Sequence, residues 1–577
     1  MRILFLTHAF NSLTQRLFAE LERRGHELSL ELDVNDAVTR EAVAAFEPDV
    51  VLAPILKRAI PAEIWRQRPC LVVHPGIPGD RGPSALDWAV QEGIERWGVT
   101  VLQAEAEMDA GPVWAWEELP MRDARKSSLY RNEVTEAAVA AVLRALERLA
   151  AGDYRPLPAS ALPLDHQGGW RPLMRQADRR IDWSREDTRA ILRRIRAADG
   201  QPGVRDELAG RPVRLFDAHP EDRLRGEPGT LLARRHGAVC RATVDGAVWI
   251  GHLRAEDEEA GPAFKRPAVE VLGEAARALP EVPVPLEKGS GRTFRDLIYR
   301  ERDGVGFLDF PFYNGAMGTP ECERLLAAYR EALERPTRVL VLTGGPDFWS
   351  NGLDLNRIEA APSPGEESWR NIQAMNDLVR AVLTTEDRLT VSVMRGNAGA
   401  GGVFMALAAD RVFARDGVVL NPHYKNMGNL YGSEYWTYLL PRRVGQEQGR
   451  AIMQRRLPLL AAEAAEIGLI DGVLGTTPEQ AGRAVEDWAV ARAADPALDQ
   501  ELAAKRQRRA ADEADKPIDE YRAEELERMR LNFFGFDPSY HVARYNFVHK
   551  VPHSRTPLYL ARHRSLRYGP GAAAAEA

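Results

Sequence analysis

Four ionisable side chains fall where strands are expected to end: His74 in "VVHPGIPGDRGPSALDWAV", Asp109 in "VTVLQAEAEMDAGPVW", and Tyr424 with Glu434 in "NPHYKNMGNLYGSEYW". A histidine and a carboxylate meeting at neighbouring strand ends can shuttle a proton, because the carboxylate fixes the imidazole tautomer and raises its basicity. Taken singly, Asp109 is also an ordinary loop residue before a glycine turn. Tyr424 and Glu434 likewise read, one at a time, as a hydrogen-bonded tyrosine and a helix-capping glutamate. Two glycine-rich stretches, "GGPDFWSNGLDL" and "RGNAGAGGVFMALAAD", each follow an expected strand and open a helix. Backbone N–H groups at such a junction can point at a developing negative charge without side-chain obstruction. Either stretch alone is a tight turn, and the two together are more telling.

The elements that must carry these residues follow from hydrophobic period. In the first 120 residues "RILFLT", "HELSLEL", "DVVLAPI", "CLVVH" and "VTVLQAEA" read as strands alternating with amphipathic stretches such as "LTQRLFAELERRG". That alternation predicts a mainly parallel α/β sheet, whose carboxyl edge is the place for a ligand. "GDYRPLPASALPLDHQGG" marks a boundary. "GEPGTLLARRHGAVCRATVDGAVWIGHL" then has the spacing of a small β-barrel-like domain. The proline-stiffened "ALPEVPVPLEKGSG" reads as a second linker. Beyond it "TRVLVLTGG", "LTVSVMRGN" and "DRVFARDGVVLNP" read as buried strands, interleaved with helices. The expected layout is an α/β domain over 1–165, a small β domain over 166–278, a linker over 279–292, and a second α/β domain over 293–577 with a helical, basic tail. The terminal "GPGAAAAEA" is expected to be disordered.

A chain of 577 residues exceeds what one core supports, and a net charge of −7 with 28% charged residues fits an enzyme-like protein rather than a nucleic-acid binder. Cys70, Cys240 and Cys322 exclude a disulfide framework and a CxxC metal site, and point to a reducing, cytoplasmic setting. Neither a signal peptide nor a membrane span is read. Pro552 between His549 and His553 disfavours the helix that would aim both at one metal, so no metal site is assigned.

"HPGIPGDRG" and "MDAGPV" resemble the two signatures of 10-formyltetrahydrofolate-dependent formyltransferases, and "IDW" with the small β domain resembles that family's second domain. The resemblance makes His74 and Asp109 two members of an Asn-His-Asp set in a pterin-binding cleft. The asparagine is replaced by Val72. Its amide would donate to the oxyanion of the transferred formyl group, and losing one such donor costs on the order of 2.7 to 4 kcal/mol. Gln15, ahead of Asn11, is the candidate substitute, and Arg81 is a further folate-site candidate. The two glycine loops resemble the crotonase (enoyl-CoA hydratase/isomerase) superfamily, which implies that Leu353 and Gly401 supply the oxyanion N–H groups. The two glutamates of the hydratases would fall at Phe404 and near Lys425, so addition of water to a double bond is not expected. Tyr424 and Glu434 are the ionisable groups left to face the oxyanion hole.

A folate formyltransferase fused to a crotonase resembles the HypX/HoxX nickel-iron hydrogenase maturation family. The resemblance implies synthesis of the iron's carbon monoxide ligand, with hydrogenase assembly factors as partners. On that reading the first half passes a formyl group from 10-formyltetrahydrofolate to coenzyme A, and the second splits formyl-CoA into CO and CoA. Glu434 and Tyr424 would act as base and acid in either order. Arg544, Lys550 and Arg555 would meet the CoA phosphates, although a basic run is also an ordinary solvated face. Two alternatives stay open: formylation of an amine beside unrelated acyl-CoA chemistry, and a non-catalytic scaffold.

Overall fold

The computed structural model describes residues 1–162, 168–256 and 263–566. The alanine-rich end lies outside the described residues, as does the middle of the first boundary segment. Two compact units result, the first built from Met1–Asp182, Arg189–Arg205 and Pro552–Ala577, the second from Trp183–Thr188 and Asp206–Val551.

The first unit is organised by a six-stranded sheet in the spatial order Glu27–Leu32, Arg2–Thr7, Val50–Ala53, Cys70–His74, Arg96–Gln103 and Val113–Pro120. Its first four strands are parallel, as the alternating pattern predicts, because helices such as Ser12–Arg23 and Asp36–Phe46 carry the chain back between them. The last two run antiparallel. His74 closes its strand opposite Thr100, whose hydroxyl donates to the Gly76 carbonyl at 2.8 Å and ties down the loop that follows.

The free edge of this sheet is covered by the chain's own end. Leu30 N–H donates to the Leu560 carbonyl at 2.9 Å and Leu32 N–H to Thr556 Oγ1 at 2.8 Å. Beneath these bonds His563 places Nδ1 2.7 Å from Ser29 Oγ and Nε2 3.0 Å from Glu31 Oε2, while the Thr556 hydroxyl donates to the same carboxylate. All four side chains are buried. An open strand edge is a template for mispairing, and this strap removes it.

In the second unit an antiparallel sheet runs Arg211–Glu221, Ala247–Ala255, Ala238–Ala242, Leu231–Arg235, around a core containing Cys240, Trp249 and Phe294. The proline-rich segment after it is docked at both ends. Val282 N–H donates to the Arg234 carbonyl at 3.1 Å, and Tyr299 N–H to the Leu286 carbonyl at 2.8 Å.

The remainder of this unit repeats one pattern three times: a long strand, then a short strand in a separate sheet. The long strands Val339–Gly344, Leu389–Met394 and Arg411–Ala414 are parallel neighbours. The short strands Phe348–Ser350, Asn397–Gly399 and Val419–Asn421 are likewise parallel neighbours. Leu353, Gly401 and Tyr424 each come two or three residues after the end of a short strand, so the small sheet delivers all three to one edge. Trp349, fully buried, donates its indole N–H to the Gly402 carbonyl at 2.8 Å and pins the first glycine loop to the second. A Cβ on Gly402 would lie 2.2 Å from the Ser350 carbonyl oxygen, so the close approach requires glycine there.

His563→Ala should leave Glu31 buried beside an empty site, a change that typically costs on the order of 3–5 kcal/mol. Hydrogen exchange read by mass spectrometry should show faster exchange in peptides covering Glu27–Leu32, with peptides from Val339–Gly344 unchanged. Equal protection in both proteins would refute the strap.

Candidate functional sites

In the first unit His74 is buried between two carboxylates. Its Nε2 lies 2.9 Å from Asp80 Oδ2 and its Nδ1 3.5 Å from Asp109 Oδ1. The expected pair His74 and Asp109 is therefore brought together, with Asp80 as a third member that spacing did not reveal. The signal was present in "HPGIPGDRG": an acidic residue in a tight loop six positions after the histidine. Asp109 holds a left-handed φ of 57° and accepts the Gly82 N–H at 3.3 Å.

Val72 lies on the same strand, packed against the apolar cluster containing Ile60 and Ile64, and supplies no donor. Of the proposed substitutes, Asn11 is the N-cap of helix Ser12–Arg23, its Oδ1 accepting the Thr14 N–H at 3.0 Å and its amide 3.5 Å from the Tyr130 hydroxyl. Gln15 directs its amide to the Phe10 carbonyl at 2.9 Å. Arg81 pairs with Glu107 at 2.6 Å near the surface.

In the second unit Leu353 and Gly401 are brought to one place. A Cβ added to Gly352 would lie 3.6 Å from the Gly401 nitrogen, and no protein acceptor among the described residues takes the N–H of Leu353 or Gly401. Ala400 enters the second loop with φ of 48°, which turns the chain sharply at the start of helix Gly401–Leu407.

Tyr424 and Glu434 meet at this edge. The Tyr424 hydroxyl donates to Glu434 Oε2 at 2.6 Å, and a Cβ on Gly401 would stand 2.2 Å from Glu434 Oε1. The carboxyl group therefore lies directly against the glycine of the second loop. Glu434 is 1% exposed. Burial raises its pKa to about 7, against the opposing effect of hydrogen bonds from Tyr424 and from the Ser433 N–H. Burial, then the neighbouring Glu434 charge, pushes the Tyr424 hydroxyl well above its ordinary value. Phe404 stacks on Tyr424 with ring centroids 5.6 Å apart and planes at 17°.

Glu434 and Tyr435 are consecutive left-handed residues with φ of 61° and 60°. For non-glycine residues such backbone costs on the order of 1–3 kcal/mol each and persists only where surroundings enforce it. Asn376 Oδ1 accepts the Glu434 N–H at 2.9 Å, and Glu525 Oε2 accepts the Tyr435 N–H at 2.9 Å. Glu525 also accepts the Thr437 N–H at 2.9 Å and the Thr437 hydroxyl at 2.6 Å. Its own pKa is raised to about 7 by burial. Asn376 and Glu525, 58 and 91 positions from Glu434 (434 − 376; 525 − 434), were missed because nothing local marks them.

The tail residues do not share one environment. Arg544 is buried with Nε 2.7 Å from Glu359 Oε2 and Nη1 2.7 Å from His541 Nδ1, so its guanidinium is committed within the protein. Lys550 is exposed above the Phe547 ring at 4.2 Å. Arg555, in the first unit, is exposed with Glu41 at 4.0 Å.

Comparison with known proteins adds to this geometry. The chain matches the formyl transferase family over residues 18–146, the formyl transferase C-terminal domain over 173–263 and the enoyl-CoA hydratase/isomerase family over 316–528. A methionyl-tRNA formyltransferase of Roseiflexus castenholzii is 34% identical over 34% of this chain and 59% of its own. The crystal structure of HypX from Aquifex aeolicus in complex with tetrahydrofolic acid is 51% identical, with a TM-score of 0.94 over 98% of this chain and 99% of that one. The hydrogenase maturation factor HoxX of Bradyrhizobium diazoefficiens is 58% identical over 99% of this chain and 98% of its own. With a formyltransferase module, a crotonase-like module and full-length identity to both relatives, this chain belongs to the HoxX/HypX family of hydrogenase maturation factors.

Proposed function

We propose that the protein makes carbon monoxide for the nickel-iron hydrogenase active site, by formyl transfer from 10-formyltetrahydrofolate to CoA in the first unit and decarbonylation of formyl-CoA in the second. Support for the folate donor comes from the His74–Asp109 pair at a strand end and from the tetrahydrofolic acid in the Aquifex relative's crystal structure. The observation that carries the second step is the contact of the Tyr424–Glu434 pair with Gly401, which puts an acid and a base beside two unclaimed N–H groups.

A formyl thioester has no α-carbon, so the enolate usual for a crotonase cannot form. Decarbonylation instead removes the formyl proton: the C–H electron pair becomes the lone pair of CO, and the C–S pair leaves on sulfur. The carbonyl oxygen is gripped by the N–H groups of Leu353 and Gly401 while charge develops on it. Of the two exchangeable assignments, Glu434 as base is favoured. A tyrosinate at position 424 would be buried against a carboxylate, whereas a carboxyl near 7 is divided between its two forms at neutral pH. The 2.6 Å contact then completes the cycle, because Tyr424 can protonate the departing sulfur as it takes the proton held by Glu434. Neither residue ends in a changed state.

His74→Ala should abolish tetrahydrofolate release from 10-formyltetrahydrofolate and CoA, while added formyl-CoA still yields CO that a haem protein can trap. CO appearing from folate in that variant would refute the first step. For the second, Glu434 must be ionised to act as base, so the rate of CO release from formyl-CoA should rise with pH through about 7 and level off above it. Glu434→Gln should remove that limb and lower the rate by about 100-fold or more while folate turnover continues. A rate that falls with rising pH over the same range would transfer the base role to Tyr424.

A further inference from the structure

The two carboxylates flanking His74 are not equivalent. Asp80 is 1% exposed, and its Oδ2 lies 2.9 Å from Nε2, a normal hydrogen-bond length. Its backbone N–H donates to the Ile77 carbonyl at 2.9 Å, which closes the loop after the strand into a tight turn. A Cβ on Gly76 would fall 2.4 Å from His74 Nε2 and 2.6 Å from Asp80 Oδ2, so loop backbone seals that edge of the ring. Gly168 packs against Asp80 from another segment, where a Cβ would meet the Asp80 nitrogen at 2.2 Å. Arg171, with Nε 3.8 Å from Asp80 Oδ1, faces the remaining oxygen. Asp109, by contrast, keeps 18% of its side chain exposed and stands 3.5 Å from Nδ1, beyond a short hydrogen bond. One edge of the imidazole is therefore built into the protein, and the other faces the more open carboxylate.

With Asp80 as the acceptor of the 2.9 Å contact, Nε2 is the nitrogen that carries the hydrogen. We propose that Asp80 is a positioning residue that holds the proton on His74 Nε2, leaving Nδ1, on the Asp109 side, as the nitrogen that takes and returns the proton during formyl transfer. This rests on the formyl-transfer reading given above. The thiol proton passes to Nδ1 as the S–C bond forms. The bond from the formyl carbon to the folate nitrogen breaks with its electron pair on nitrogen, and Nδ1 returns the proton there. Asp80 then faces an imidazolium for the interval between the two transfers, without itself accepting the proton. The arrangement parallels the buried aspartate of Ser-His-Asp hydrolases, where loss of the charge with geometry retained costs on the order of 10⁴ in rate.

The tautomer can be read without turnover. Full-length protein with 15N-labelled histidine, compared with its His74→Gln variant to assign the ring, should show at alkaline pH a protonated Nε2 and a bare Nδ1 for His74. A protonated Nδ1 would overturn the proposal, whether or not any Asp80 variant folds. Asp80→Asn should lower tetrahydrofolate release by at least about 100-fold while the Kd for tetrahydrofolate stays within about twofold. Asp80→Glu should recover part of the rate. Release within about threefold of the parent in Asp80→Asn would also overturn it. Following release with CoA and with water alone as acceptor keeps the two readings apart. Failure of CoA to accept the formyl group would count against the function and leave the tautomer result standing.

Discussion

A carboxyl group at 1% exposure must either be satisfied by donors or lose its charge, and Glu434 is arranged between these outcomes. Two donors, Tyr424 and the Ser433 N–H, stabilise the anion, while burial favours the neutral acid. Burial prevails and raises the pKa to about 7, which is the condition for a group that exchanges a proton at neutral pH. The neighbouring backbone is built to maintain it. Asn376 and Glu525 take the N–H groups of Glu434 and Tyr435, and so fix two consecutive left-handed residues that a free chain would avoid. Glu525 is itself buried with its pKa raised and sits on a separate helix, Ile518–Phe534. The turn that carries Glu434 is thus held by a second carboxyl that faces backbone donors.

The spiral of long and short strands gives this group its surroundings. Because each short strand pairs with the next, the segments after Ser350, Gly399 and Asn421 end side by side, although they are far apart in sequence. Glycine at 401 and 402 then has separate uses. Gly402 lets the helix start approach Ser350, and Gly401 leaves room for the Glu434 carboxyl where any side chain would collide. The first unit reaches a similar end by another route: a strand terminus presents His74, and a loop of glycines and prolines folds Asp80 back onto it.

What was legible in the sequence follows from this division. The mainly parallel sheet, its strand-end histidine and the three buried strands of the second half all show in hydrophobic period, because burial imposes that period locally. The two glycine loops show in the sequence, whereas Leu353 and Gly401 are singled out within them by the resemblance to the crotonase superfamily. Asp80 is close in sequence to His74 but looks like a turn residue, and only its orientation gives it a role. Asn376, Glu525 and the His563–Glu31 pair join segments far apart in the chain, so no window contains both partners. In the basic tail the limit is of another kind. Charge is visible in sequence, but the Glu359 carboxylate that pairs with the buried Arg544 is not.

Phe404 shows why a shared fold need not mean a shared reaction. Water addition needs a water molecule held and activated at the oxyanion site, and the resemblance to hydratases places one of their two glutamates at position 404. Here that position is an aromatic ring, fully buried and stacked on Tyr424. The ring carries no acceptor and packs against the tyrosine whose hydroxyl meets Glu434. On the proposed reading, in which the second unit acts on a formyl thioester, exclusion of water and transfer of the formyl proton serve one end.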